Sequence, residues 1–281
     1  MFAVVRAGGT LARGTPGTVV SHHARGRYKV TFPASVKGCA AIANLGYAGT
    51  RERFTFPAAV TASAGPHTSV FVDVTFPGPT TPGEYPDAPV LRNNSFHLHV
   101  DCGHALIARV AANGTLVNAS PEVSIRPHVR RSGQYVLDFG SDISACAPVG
   151  TARNPKPRAA LARQVYLALG GDSRSLRVSV NDGTTRAVDH AFSLIVTCDE
   201  SPKAVYPSSD GFFNLTTIPG VADCALTATW FEPEPGATPS NQGYVSTWAR
   251  SRNTAVVQTK NGGYGVATGF GVDLVATCPS S

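Results

Sequence analysis

Apolar residues in this chain fall in short alternating runs separated by Gly and Pro, the pattern of strands with one buried face rather than of helices. Phe96-His97-Leu98-His99-Val100-Asp101-Cys102 places apolar side chains six, four and two residues before its cysteine. Phe192-Ser193-Leu194-Ile195-Val196-Thr197-Cys198 and Val272-Asp273-Leu274-Val275-Ala276-Thr277-Cys278 do the same. Successive side chains of a strand point to opposite faces, so Phe96, Leu98 and Val100 are expected in a core and His97 and His99 in solvent.

A second motif precedes each of these strands. Tyr28-Lys29-Val30-Thr31-Phe32 leads to Cys39, Tyr135-Val136-Leu137-Asp138-Phe139 to Cys146, and Phe213-Asn214-Leu215-Thr216-Thr217 to Cys224, with each cysteine eleven residues beyond the first aromatic. Gly26, Gly133 and Gly211 stand just before the aromatic residue, and Val36, Ile143 and Val221 stand three before the cysteine. Two openings also agree: Gly9-Thr10-Leu11 with Pro16, and Gly114-Thr115-Leu116 with Pro121. Each predicts a hairpin with Gly at its turn, flanked by the strand-like runs Phe2 to Val5 and Leu106 to Val110. The third copy lacks this opening, since 26 residues separate Cys198 from Cys224 against 44 between Cys102 and Cys146.

The repeat predicts an all-β chain of three tandem small β-sandwich-like modules, 1–102, 103–198 and 199–281, the last shortened as a terminal unit of an array often is. Arg158 to Leu169 is the main exception and is read as a short helix, while Pro77 to Pro89 and Pro233 to Pro239 are read as extended loops. Six cysteines allow fifteen pairings. One early and one late cysteine per copy select Cys39–Cys102, Cys146–Cys198 and Cys224–Cys278. Zinc ligation and unpaired core thiols are the competing readings. Zinc needs closely grouped ligands, and no two of these cysteines are closer than 26 residues. Disulfides imply an oxidising compartment, hence secretion or display on a cell or virion surface. Phe2 to Val5 is too short for a signal-peptide core, so an exported form is expected to have lost its leader.

Composition narrows the classes further. The 281 residues are 42% hydrophobic and 15% charged, with 28 Gly and 21 Pro, which fits a folded chain rich in turns. No apolar stretch is long enough to predict a membrane span. The net charge of +6 is spread along the chain, and all but five of the 24 basic residues are Arg. A GC-rich genome produces that composition, and diffuse charge argues against nucleic-acid binding.

Catalytic signatures are sparse. G-x-S-x-G, H-E-x-x-H, G-x-x-x-x-G-K-[ST] and G-x-G-x-x-G do not occur. Gly263-Tyr264-Gly265 and Gly269-Phe270-Gly271 are spaced for a bulge or hairpin rather than a phosphate cradle. His97 and His99 share a strand face with Asp101 and, with His104 or the His22-His23 pair, make a conceivable metal set. The matching positions Ser193/Ile195 and Asp273/Val275 do not share it, so exposed histidines are expected. His190 beside Asp189 makes a triad only on paper. The expectation is therefore a non-enzyme with no metal and no cofactor. Arg126 to Arg131 and Arg153 to Arg158 are the densest basic runs, and Arg130 and Arg131 are candidates to meet an anionic cell-surface glycan. Trp230 and Trp248 are candidates for a sugar-stacking surface or for the core. Asn93, Asn113, Asn118 and Asn214 open sequons that matter only in a eukaryotic secretory pathway, which the composition disfavours.

The pattern G-x-Y-x-V-x-F-x-x-x-V-x-x-C, opened by N-G-T-L and closed by F-H-L-x-V-x-C, resembles modules of uncharacterised secreted actinobacterial proteins and of phage tail-fibre-like proteins. Gly26, Tyr28, Val30, Phe32, Val36, Cys39, Phe96, Leu98 and Cys102 carry the resemblance, and Asn113 to Leu116 give the second opening. The third copy departs, with Phe213 for Tyr and Thr217 for Phe. The resemblance implies an extracellular bacterial setting and supplies no active site. The expectation is a binding or structural module of a larger assembly, with a surface glycan or other copies of itself as partner. The alternatives are a virion or tail-fibre-like component contacting a host surface, or a secreted cell-wall hydrolase.

Overall fold

A computed structural model describes residues 1–49, 58–76, 89–154, 162–182, 186–198, 212–215, 219–232, 243–261 and 271–279. Up to Cys102 the strands are β1 (Phe2–Val5), β2 (Leu11–Gly14), β3 (Val19–Ala24), β4 (Arg27–Thr31), β5 (Ala40–Gly46), β6 (Ala59–Ala64), β7 (Ser69–Phe76), β8 (Val90–Leu91) and β9 (Phe96–Asp101). Up to Cys198 they are β10 (Leu106–Val110), β11 (Leu116–Ala119), β12 (Ser124–Ile125), β13 (Gln134–Asp138), β14 (Ala147–Ala152), β15 (Gln164–Leu169), β16 (Ser175–Asn181) and β17 (Phe192–Thr197). The remainder holds β18 (Phe212–Leu215), β19 (Ala225–Glu232), β20 (Gly243–Ser251), β21 (Thr254–Asn261) and β22 (Gly271–Thr277), with one 3-10 turn at Val221–Asp223. The protein is all-β, and no α-helix occurs among the described residues.

One strand order appears twice. β2-β1-β9-β5 run side by side, as do β11-β10-β17-β14; β3-β4-β7-β6 and β12-β13-β16-β15 form the facing sheets. Between the first pair of sheets lies a core that includes Val5, Tyr28, Val30, Val72, Phe96 and Leu98. Between the second pair lie their counterparts Val110, Tyr135, Leu137, Val178, Phe192 and Leu194. After Cys198, β19 pairs with β22, β18-β21-β20 run side by side, and a third core holds Val221, Leu226, Trp230, Val257, Val272 and Leu274. These last strands do not stand apart. β20 joins β5 in parallel at Leu45 and Gly46, and β19 joins β15 in parallel at Tyr166 to Ala168.

The glycine before each tyrosine has a steric reason. Gly26 and Gly133 sit at φ 67° and 61°, and a Cβ would lie 2.6 Å from the Val74 carbonyl at Gly26 and 2.4 Å from the Val188 nitrogen at Gly133. This turn lets Tyr28 donate its hydroxyl to the Ala7 carbonyl at 2.8 Å, and Tyr135 to Ala112 at 3.0 Å. Each tyrosine carries a stacked histidine, His22 on Tyr28 at 4.7 Å and His128 on Tyr135 at 4.3 Å. Val36, Ile143 and Val221 are all buried, and each accepts the backbone N–H of the cysteine three residues on.

The cysteines pair as Cys39–Cys102, Cys146–Cys198 and Cys224–Cys278, across 63, 52 and 54 residues. Each bridge ties the start of β5, β14 or β19 to the end of β9, β17 or β22. Closing loops of this length removes unfolded-state entropy worth about 4 kcal/mol per bridge.

The helix expected over Arg158 to Leu169 is corrected. Residues 158–161 lie outside the described ones, and Gln164–Leu169 is the strand β15. Its run Val-Tyr-Leu-Ala-Leu is continuously apolar because β15 lies between β16 and β19 and is buried almost throughout, and such a strand shows no alternation. Of the predicted loops, 77–88 and 233–239 lie outside the described residues, as do Gly263, Gly265 and Gly269, while Gly271 opens β22.

Candidate functional site

β5, β14 and β19 each run on from the first cysteine of a disulfide and each turn a backbone edge toward the middle of the molecule. An edge strand presents N–H and C=O groups that must find partners once buried. At β5, before the ladder to β20 begins, the Thr151 hydroxyl accepts the Ala43 N–H at 3.0 Å and donates to the Ala43 carbonyl at 3.0 Å. At β14, the Thr229 hydroxyl accepts the Gly150 N–H at 2.8 Å and donates to the Gly150 carbonyl at 3.1 Å. At β19, His97 Nδ1 accepts the Leu226 N–H at 2.8 Å and the Thr247 hydroxyl donates to the Leu226 carbonyl at 2.8 Å. Pro148, the residue of β14 that matches Leu226, has no N–H to satisfy.

Thr151 and Thr229 stand five residues after their cysteines, and Asn44 holds that place after Cys39. Asn44 departs from the pattern: its amide donates to the Leu45 carbonyl and to the Thr247 hydroxyl, and its Oδ1 is buried without a partner. Around these contacts pack Ala40, Ile42, Ile107, Ala147, Val149, Ile195 and Val275. β17 lies on β5, β22 on β14, and β9 on β19.

The expectation that His97 and His99 face solvent is overturned. Both are buried, at 0% and 6% exposure, because the outer face of β9 is covered by the rest of the molecule. His97 Nε2 donates to the Tyr47 carbonyl at 3.0 Å while Nδ1 accepts from Leu226, so the ring is neutral and fully used. A Cβ on Gly46 would come within 2.5 Å of that ring. Burial pushes the imidazoles of His97 and His99 down to about 4. Asp273 occupies the same position before its cysteine as His97. It is 1% exposed, its Oδ2 has no partner, and burial holds its carboxyl well above the usual range.

The other sequence candidates disperse. Asp101 does not turn to a metal; its Oδ1 accepts the backbone N–H groups of Gly103, His104 and Ala105 at 2.7, 2.9 and 3.3 Å. No cluster of metal-ligating groups occurs among the described residues. Asp189 turns away from His190: it accepts the N–H groups of Arg131 and Gly133 and lies 3.1 Å from His128 Nε2. His190 instead donates its own backbone N–H to the Tyr135 hydroxyl at 3.0 Å. Arg130 and Arg131 are exposed. Trp230 and Trp248 are each 7% exposed, and Trp230 packs in the third core. The sequence reading passed over Thr151, Thr229 and Asn44, although they share one column of the repeat.

No family model, curated protein or solved structure matches this chain.

Two outcomes are expected at this junction. Thr151→Val keeps the shape but leaves the buried Ala43 N–H and C=O without their hydroxyl partner, so stability should fall by about 1–3 kcal/mol in urea titration. Acid should weaken the fold in a defined window. Between pH 6.5 and 4 the unfolded chain takes up protons that native His97 and His99 refuse, so stability drops as pH falls, by on the order of 3 kcal/mol for each at pH 4. Asp273 acts oppositely, since its native carboxyl keeps a proton above 3.8 that the unfolded chain loses. Asp273→Asn should therefore raise Tm at pH 7 and leave it nearly unchanged at pH 3, as read by calorimetry at both pH values.

Proposed function

We propose that this chain is a non-enzymatic extracellular protein serving as a rigid binding or structural element of a larger assembly. In this reading 1–102, 103–198 and 199–281 are three disulfide-stapled β-sandwich units closed around one axis, so that a single chain stands in for a trimer. The supporting observation is the cyclic order of the caps. Thr151 of the second unit holds Ala43 of the first, Thr229 of the third holds Gly150 of the second, and His97 of the first holds Leu226 of the third. Strand packing follows the same cycle, with β17 on β5, β22 on β14 and β9 on β19. Three disulfides are consistent with an oxidising extracellular environment. The buried imidazole of His97 is spent on backbone groups, which supports a structural use of that residue.

The partner in this reading is an anionic cell-surface glycan, met by a chain of net charge +6. The closed ring also suits a component that caps a threefold fibre, which keeps a virion or tail-fibre-like role as the second reading. The test is co-sedimentation of the purified chain with isolated cell-wall sacculi, before and after their phosphate-bearing polymers are extracted. Retention on intact sacculi, its loss after extraction, and no release of soluble wall fragments are expected. Equal retention on both, or solubilised wall, contradicts the reading.

A further inference from the structure

Charge in the second stretch is badly balanced at one place. The chain carries no Asp or Glu between Asp142 and Asp172, yet that interval holds Arg153, Lys156, Arg158 and Arg163. It holds none between Asp101 and Glu122 either, around Arg109. The fold brings two of these cations, Arg109 and Arg153, together. β10, β17 and β14 are neighbours, and Arg109 and Thr151 both lie opposite Ser193. Those three side chains therefore share one face of the sheet. Arg153, two residues beyond Thr151, continues that face, and its N–H donates to the Ala191 carbonyl at 2.8 Å. His190 precedes Ala191 and its ring lies against the Arg153 backbone. Arg163 enters β15 close enough for its charge to act on His190.

All four side chains are half-buried. The Nε atoms of Arg109, Arg153 and Arg163 and the Nε2 of His190 are out of solvent without a hydrogen-bond partner. Among the described residues no carboxylate lies within ion-pair distance of Arg109 or Arg153. Asp182 acts on Arg163. Desolvation, with Arg109 nearby, lowers the Arg153 guanidinium to about 10. Buried cations are normally paired, because removing a guanidinium from water is expensive unless an anion takes water's place. Guanidinium forks match tetrahedral oxyanions in shape as well as charge.

We propose that Arg109 and Arg153 form a binding site for a phosphate-type oxyanion. Burial holds the His190 imidazole down at about 4, so it is a neutral neighbour of the site, and Arg163 donates to the Ala162 carbonyl at its margin. This moves anion recognition from the exposed Arg130 and Arg131 to a half-buried face formed by β10, β14 and β17. The site rests on the reading above only for the source of the anion, which is a phosphate-bearing polymer there. Free phosphate would use the same chemistry.

Titration calorimetry and thermal melts of the full chain test it, using inorganic phosphate, a glycerol-phosphate oligomer, and sodium chloride at matched ionic strength. Phosphate should bind saturably and raise Tm by about 5 °C at a hundredfold excess over Kd. Arg153→Gln should weaken Kd at least tenfold, while Arg130→Gln with Arg131→Gln should change it less than twofold. The melt of Arg153→Gln without phosphate should lie at or above that of the parent, which separates a lost ligand from a lost fold. Tighter binding of the oligomer identifies a polymer as the source, the reverse a free anion, and both support the site. A chloride effect equal to that of phosphate, or a Kd untouched by Arg153→Gln, overturns it. Because the phosphate arm uses no cell wall, failure of the site and failure of wall retention are read separately.

Discussion

Three strand edges meet in the interior of this protein, and the fold depends on how their backbone groups are satisfied there. A β-edge in water costs little; the same edge buried without partners costs a few kcal/mol per group. β5 and β14 escape that cost because the Thr151 and Thr229 hydroxyls, each from another stretch, donate and accept at once on Ala43 and Gly150. β19 escapes it because the His97 imidazole accepts the Leu226 N–H while the Thr247 hydroxyl donates to the Leu226 carbonyl. A hydroxyl suits the role since it offers both a proton and lone pairs within one small group. Further along, β5 and β19 pair in parallel with β20 and β15, so the caps hold only the part of each edge that no ladder covers. The disulfides begin at these strands, so the covalent ties and the caps act on the same three elements.

This arrangement explains what the sequence disclosed and what it concealed. Alternation before Cys102, Cys198 and Cys278 marked one face of β9, β17 and β22 as core, and Phe96, Leu98, Phe192, Leu194, Val272 and Leu274 are all buried. The spacing of the cysteines pointed to their pairs because each bridge joins strands of one repeat. The opposite face of β9 is the exception. His97 and His99 are polar, and period-2 logic places polar residues in solvent unless a second layer covers them. That layer comes from distant stretches of chain, and no local pattern reports it. β15 was missed for the same reason, since a strand flanked on both sides and covered on both faces loses the alternation that identifies it.

Two polar strategies coexist at the buried face. His97 is neutral and uses both ring nitrogens, whereas Asp273 at the matching position is isolated and holds its proton by desolvation. The Arg109–Arg153 pair is a third case, cationic and half-buried, and an external anion would complete it as the threonines complete the strand edges.

The central claim is that the three stretches stand or fall together through the shared junction. Differential scanning calorimetry of the intact oxidised chain at pH 7 tests it most directly. One transition, with a calorimetric enthalpy equal to the van't Hoff value, is the predicted result. Two or more separable transitions, or a first transition unaffected by Thr151→Val, would mean that the stretches are independent domains and that the junction does not govern the fold.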